Sequence, residues 1–258
     1  MKRILPFANL MALIATIAIN YLSNSGLLQT ETIAAVSARY PTLITPAPYA
    51  FAIWGLIYIG LACFVVYQLK RKPETEIIVG QVGWWFVLSC IANCCWVLAW
   101  IHGWTGLSVL LMLVLLSSLL RIMVSTDMEM PDASLKTIAF VWWPFCLYIG
   151  WITMAIAVNI AAWLVSAGWG GWGIGPEAWA MLVSVIAGGI YLLLTWRRNM
   201  REAALAGTWA LIAVGIADRA KAPEVSTIAY LVAGVLFIST LVHAFRNRDT
   251  SPFRKRHG

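Results

Sequence analysis

Long apolar stretches separated by short polar breaks make up this chain, and every break carries charge, proline or glycine. The first stretch, residues 4–22, follows Met1-Lys2-Arg3. It is long enough to span a bilayer and no clean small-x-small cleavage site follows it, so it reads as a retained first helix rather than a signal peptide. A polar connection covers residues 23–48, where Arg39 and Tyr40 precede Pro41, Pro46 and Pro48 and predict an extended, stiffened lead into the next helix. The second helix is expected over residues 49–69 and stops at Lys70-Arg71-Lys72. The third is expected over 78–101 and, after the turn His102-Gly103-Trp104, the fourth over 107–124. A charged loop with Asp127, Glu129, Asp132 and Lys136 leads into the fifth, 137–165. The run Ser166 to Pro176, rich in glycine and holding Trp169 and Trp172, predicts an interfacial loop with both rings at headgroup depth. The sixth helix, 177–196, ends at Arg197-Arg198. The seventh, 203–217, reaches only about 22 Å and needs help from its flanks. The turn at Asp218, Arg219, Lys221 and Pro223 opens the eighth, 225–245, and a basic tail closes the chain. The pattern predicts an all-α polytopic membrane bundle of eight helices.

Within these helices the polar and aromatic residues fall in stripes. On the fifth, Pro144, Tyr148, Trp151, Ala155, Asn159 and Trp163 recur at steps of three or four and share one face. On the third, Trp85, Ser89, Asn93, Trp96 and Trp100 form a second interior stripe, and on the second helix Phe51, Trp54 and Tyr58 form a third. A carboxamide at bilayer depth costs free energy unless a partner or a ligand satisfies it. Asn159 and Asn93 therefore read either as glue between helices or as ligand contacts. Tryptophan is a poor choice for packing alone, because small residues let membrane helices approach more closely. Bulky rings hold helices apart, and an aromatic-walled cavity with a few amides and hydroxyls suits a flat, largely apolar ligand such as a tetrapyrrole, sterol or carotenoid.

Composition sharpens the class. Of 258 residues, 61% are hydrophobic and 11% charged, with mean hydropathy +0.81. The net charge of +7 does not point to nucleic acid, because the cations gather at the ends of apolar runs. With both termini cytoplasmic, all 18 basic residues except Arg39, Arg219 and Lys221 fall on the inner side. That bias also argues for the short seventh helix, and the expected location is a bacterial inner membrane. Cys63, Cys90, Cys94, Cys95 and Cys146 all lie within spans and read as small buried hydrophobes. Of the fifteen tryptophans, Trp104, Trp142, Trp179 and Trp196 fit aromatic belts.

The runs Phe51-x2-Trp54-x3-Tyr58 after a proline-rich lead, Asn93-x2-Trp96, and Trp151-x7-Asn159-x3-Trp163 together resemble the tryptophan-rich sensory protein family, also called the TspO or translocator-protein family. The resemblance covers about residues 1–165. It implies a five-helix bundle whose cavity, roofed by the loop between the first two helices, binds porphyrins and other hydrophobic ligands, with Trp54, Tyr58, Asn93, Trp96, Trp151, Ala155 and Asn159 lining it. The chain departs from the family pattern in three places: Pro144 stands seven residues before Trp151, the proline lead reads Pro-Ala-Pro, and three helices follow in residues 166–258. Those helices either cover one side of the bundle or form a homodimer surface.

No obligatory cofactor is implied; a porphyrin or haem is expected only as a bound ligand. His102, in an outer turn, is better read as solvated than as a metalloporphyrin ligand, and His243 and His257 as solvated near the basic tail. The run Val65 to Lys70 fits the loose sterol-contact pattern, which arises readily at helix ends. No paired carboxylates, Ser-His-Asp order, phosphate loop or metal-ligand spacing appears, and Glu177, Glu202 and Asp218 fall at helix ends. The reading is a membrane-embedded binding protein or sensor for a planar hydrophobic ligand, with no catalytic residues. A transporter of such a ligand, or a structural or assembly factor for a membrane complex, is the alternative.

Overall fold

The computed structural model describes residues 4–25, 27, 31–70, 72–130 and 133–247. The expectations for Lys2, Arg3, Arg71, Asp132, His257 and the basic tail beyond residue 247 lie outside the described residues. Every regular element in it is helical: α1 Leu5–Asn24, α2 Ile33–Arg39, α3 Pro48–Gln68, α4 Pro73–Val82, α5 Trp85–Ile101, α6 Thr105–Ser125, α7 Leu135–Ser166, α8 Pro176–Arg198, α9 Arg201–Asp218 and α10 Pro223–Arg246. Six of them (α1, α3, α6, α7, α8 and α10) are long and apolar enough to cross a membrane. The pair α4 and α5 is equally apolar but bends by 49° between them. The large side chains left outside, such as Met11, Leu110, Leu193 and Ile238, are apolar, as a lipid-facing surface requires. The fold is that of an integral, multi-pass membrane bundle.

The boundaries follow local chemistry. Proline at the first turn starts α3, α4, α8 and α10, where its missing N–H costs nothing. The expected unbroken third helix is instead split, because Gly83 takes φ 54° and ψ −144°, a conformation that side chains with a Cβ avoid. The connection after α1 holds a helix that its prolines did not foretell. Thr32 caps α2 by accepting from the Ala35 N–H at 3.2 Å, and the extended lead is confined to the residues after Tyr40.

The last three helices cover one side of the bundle. α9 lies against α7, with α8 and α10 packed on it. Small residues allow this: Ala203, Ala204, Ala206, Ala210 and Ala213 are all buried, and Gly150 of α7 sits directly on the Ala203 backbone. Tyr191 of α8 donates to the Gly150 carbonyl at 2.7 Å. α9 also reaches the lead into α3, where the Ala213 carbonyl accepts from Ala47 N–H at 3.0 Å and Trp209 donates to the Ala50 carbonyl at 3.0 Å. The seventh helix is longer than expected, at 18 residues, because Arg201, Glu202 and Asp218 are part of it.

Candidate functional site

Trp54 on α3 is the hub of the aromatic cluster. Its ring stacks on Tyr58 at 5.4 Å and on Trp96 at 6.5 Å, and meets Tyr148 and Trp151 edge-on at 5.8 and 6.3 Å. Trp151 also meets Phe51 edge-on, and Trp96 stacks on Trp100. These are favoured aromatic geometries, each contributing about 0.5–1.5 kcal/mol beyond area burial. Three helices, α3, α5 and α7, thus converge on one ring cluster, as their separate stripes predict.

A cavity opens beside the cluster. Trp54, Trp96, Trp100, Trp151, Ala155 and Asn159 line its walls, while Ile33, Ser37 and Pro46 close it from the connection after α1. Its enclosed free volume is about 40 Å³, inside a partly open recess of about 480 Å³. At roughly 10–15 Å³ per water, the enclosed part holds a few water molecules. Indole donates to the roof: Trp100 Nε1 bonds the Ile33 carbonyl at 3.1 Å.

Of the seven residues expected to line the cavity, Trp54, Trp96, Trp151, Ala155 and Asn159 do so. Tyr58 and Asn93 are not on its wall. Tyr58 lies behind Trp54, and Asn93 is fully buried as glue between helices. Asn93 Oδ1 accepts from Asn20 Nδ2 at 2.9 Å and its Nδ2 donates to Tyr148 Oη at 3.2 Å, joining α1, α5 and α7. Replacing Asn93 by leucine leaves buried Tyr148 Oη without this partner and Asn20 Nδ2 with the Thr16 carbonyl alone, at a cost of about 1–3 kcal/mol. The expected result is a clear fall in melting temperature in detergent. Asn159 is different: its Oδ1 accepts from Ser108 at 2.5 Å, and its Nδ2 has no protein partner among the described residues.

Three more donors around the hub lack partners. Tyr58 Oη, Trp96 Nε1 and Trp151 Nε1 are buried and bonded to nothing in the protein. The sequence marked these side chains as aromatic wall but not as a set of unmet donors, which only their burial reveals. It also missed the polar face of α1. Asn9, Thr16 and Asn20 are buried there, and Asn9 donates to Gln68 Oε1 at 2.9 Å. Their steps of seven and four were the available signal. Within the loose sterol-contact run, Val65, Tyr67 and Gln68 are buried, while Val66 and Leu69 are exposed.

Other expectations need correction. Trp85 is 40% exposed and Trp163 41%, so each leaves its stripe at the end. Trp142 is buried within a π-helical turn, Ile138–Trp142, and is no belt residue. His243 is buried against the Trp196 ring, 5.0 Å between centroids, and is not solvated. His102 is exposed, stacks near Trp104 and is not on the cavity wall. Trp172, by contrast, is 82% exposed and clusters with Trp169 and Trp179, as an interfacial loop requires. Paired carboxylates do occur: Glu129 and Glu202 meet at the opposite end of α7 from Asn159, beside Cys146.

A family model described as TSPO-like protein matches residues 6–242, which takes in α1 through most of α10. No curated protein and no solved structure matches significantly.

Proposed function

The chain belongs to the TSPO-like protein family, and from that premise we propose that it binds a planar, largely apolar ligand of the tetrapyrrole class in the Trp54 cavity and works as a membrane-embedded sensor or carrier rather than as an enzyme. The observation that carries this reading is the set of unmet donors around one aromatic hub. Trp96 Nε1 and Trp151 Nε1, both on the cavity wall with the Asn159 amide, are buried without partners. Leaving such donors unmet costs about 1–3 kcal/mol each, which an acceptor-bearing ligand would recover. The rings supply flat apolar faces for the rest of it.

A tetrapyrrole is far larger than the enclosed 40 Å³, so binding requires the rings and the roof to move. Among the described residues the roof is tied to the bundle by the bonds from Trp100 Nε1 to the Ile33 carbonyl and from Ala47 N–H to the Ala213 carbonyl. Replacing Trp100 by phenylalanine removes the first of these. Amides of α2 are then expected to exchange with deuterium about tenfold faster, as the loss of roughly 1.4 kcal/mol of local stability predicts, with ligand association faster in step. Unchanged exchange in α2 would place the gate elsewhere.

The reading is tested by titrating the detergent-purified protein with protoporphyrin and with haem while following tryptophan fluorescence. Saturable quenching at micromolar ligand or below supports it. Linear quenching, the same in wild type and in cavity variants, sinks it and turns attention to membrane partners. The cation distribution supports both termini on the cytoplasmic side of a bacterial inner membrane, which labelling of terminal cysteine tags from either side of the membrane checks.

A further inference from the structure

At the end of the bundle remote from the cavity, three side chains from three separate segments converge. Glu129 comes from the turn after α6, Cys146 from the N-terminal half of α7, and Glu202 from the start of α9. Their carboxylate oxygens and sulfur all lie within 4.8 Å of one another. Neither carboxylate has a Lys or Arg nitrogen within ion-pair distance, since the one ion pair among the described residues is Arg39 with Glu31. Glu129 is 8% exposed, yet its Oε1 has no hydrogen-bond partner, and neither has Oε2 of Glu202. A buried and a half-buried carboxylate beside a buried thiol, with unmet acceptors and no cation within ion-pair distance among the described residues, are costly as they stand.

We propose that Glu129, Cys146 and Glu202 form a binding site for a borderline divalent metal ion of the zinc class. The donor set fits that ion. Zinc takes thiolate sulfur at about 2.3 Å and carboxylate oxygen at about 2.0–2.2 Å, which puts ligand atoms within the mutual separation seen here. Calcium and magnesium prefer all-oxygen sets and have no use for the sulfur. Charge also balances. Two carboxylates and a thiolate carry −3, and a divalent ion with the nearby Arg201 guanidinium offsets them. An outer contact is in place: Asn199 Nδ2, on the left-handed turn between α8 and α9, reaches Glu129 Oε2 at 3.4 Å and its carbonyl at 3.5 Å. Without metal, burial first, then the Glu202 charge, push the Glu129 carboxyl up to about 8, with Arg201 opposing. The Cys146 thiol donates to Met128 Sδ, 3.6 Å away. Bound metal would clasp the turn after α6 to α7 and α9. This inference is independent of what the Trp54 cavity binds.

The test is a titration of the full-length, chelator-stripped protein in detergent with Co²⁺, followed through the near-ultraviolet thiolate-to-cobalt charge-transfer absorption, with Zn²⁺ as competitor. The proposal expects saturation at one equivalent, displacement by Zn²⁺, and a rise in melting temperature on adding Zn²⁺. Cys146→Ser should abolish the band. Glu129→Gln and Glu202→Gln should weaken binding at least 10- to 100-fold, the scale on which even outer contacts act. The glutamine variants are near-isosteric and decide the matter if the serine variant does not fold. No band in the wild type overturns the proposal. So does a band of equal strength in Cys146→Ser, which would place the metal on Cys90, Cys94 or another thiol, or Co²⁺ affinity unchanged in both glutamine variants.

Discussion

Replacing Gly150 by leucine is expected to cost more stability than any other single change in the bundle. A Cβ at this position would stand 2.5 Å from the Ala203 carbonyl oxygen, 2.7 Å from its Cα and 2.9 Å from the Ala206 Cβ. Two of the three obstacles are backbone, so no rotamer change relieves them and α7 and α9 must separate. Overpacking a core usually costs about 1–3 kcal/mol, and a clash with rigid backbone belongs at or above the top of that range. Separation also breaks the bond from Tyr191 to the Gly150 carbonyl. The damage should travel, because α9 holds the lead into α3 through Ala213 and Trp209. The expected result is a loss of monodisperse protein in detergent or a melting temperature lower by ten degrees or more, scaled from about 2–4 °C per kcal/mol. Gly150→Ala should show the same effect in smaller measure. A melting temperature unchanged by leucine would mean that α7 and α9 do not touch at Gly150.

This close approach was not legible in the sequence, where Gly150 is one small residue among the apolar positions of the fifth span. What could be read was whatever depends on neighbours along one helix. Apolar length gave the spans, and steps of three and four gave the stripes of Trp54, Trp96 and Trp151 that the fold brings together. Periodicity also explains where the stripes fail. At about 100° per residue, Trp163 lies about 100° around the helix from Pro144, far enough to swing out of the core. Trp85 stands at the bend after Gly83, a break set by one glycine conformation inside an otherwise uniform apolar run. Features that require two distant segments to meet stayed hidden. Glu129 looks like a member of a charged loop and Glu202 like a helix-end carboxylate until α6, α7 and α9 are placed side by side. Asn93 and Asn159 look alike in sequence, and only their partners separate helix glue from cavity wall.

Trp151→Phe should separate affinity from stability, and the opposite behaviour of the two quantities makes it the sharper test of the cavity. The Trp151 indole N–H is buried and bonded to nothing in the protein. Phenylalanine removes that unmet donor, whose cost of about 1–3 kcal/mol offsets most of what the smaller ring loses in contact with Phe51 and Trp54. The melting temperature of the ligand-free protein is therefore expected to stay within a few degrees of wild type. If the N–H is held for an acceptor on the ligand, affinity falls by roughly tenfold or more, since 1.4 kcal/mol is a factor of ten. Asn159→Leu should act in the same direction. Ser108 retains the Thr105 carbonyl at 2.6 Å as an alternative acceptor, so α6 stays in place while the cavity loses the Asn159 carboxamide from its wall. A purely structural role predicts the reverse pattern, with lowered melting temperatures and unchanged ligand titrations. The two variants measured together, by thermal melting without ligand and by fluorescence titration with protoporphyrin, decide whether the donors around Trp54 are kept for a ligand or merely tolerated by the packing.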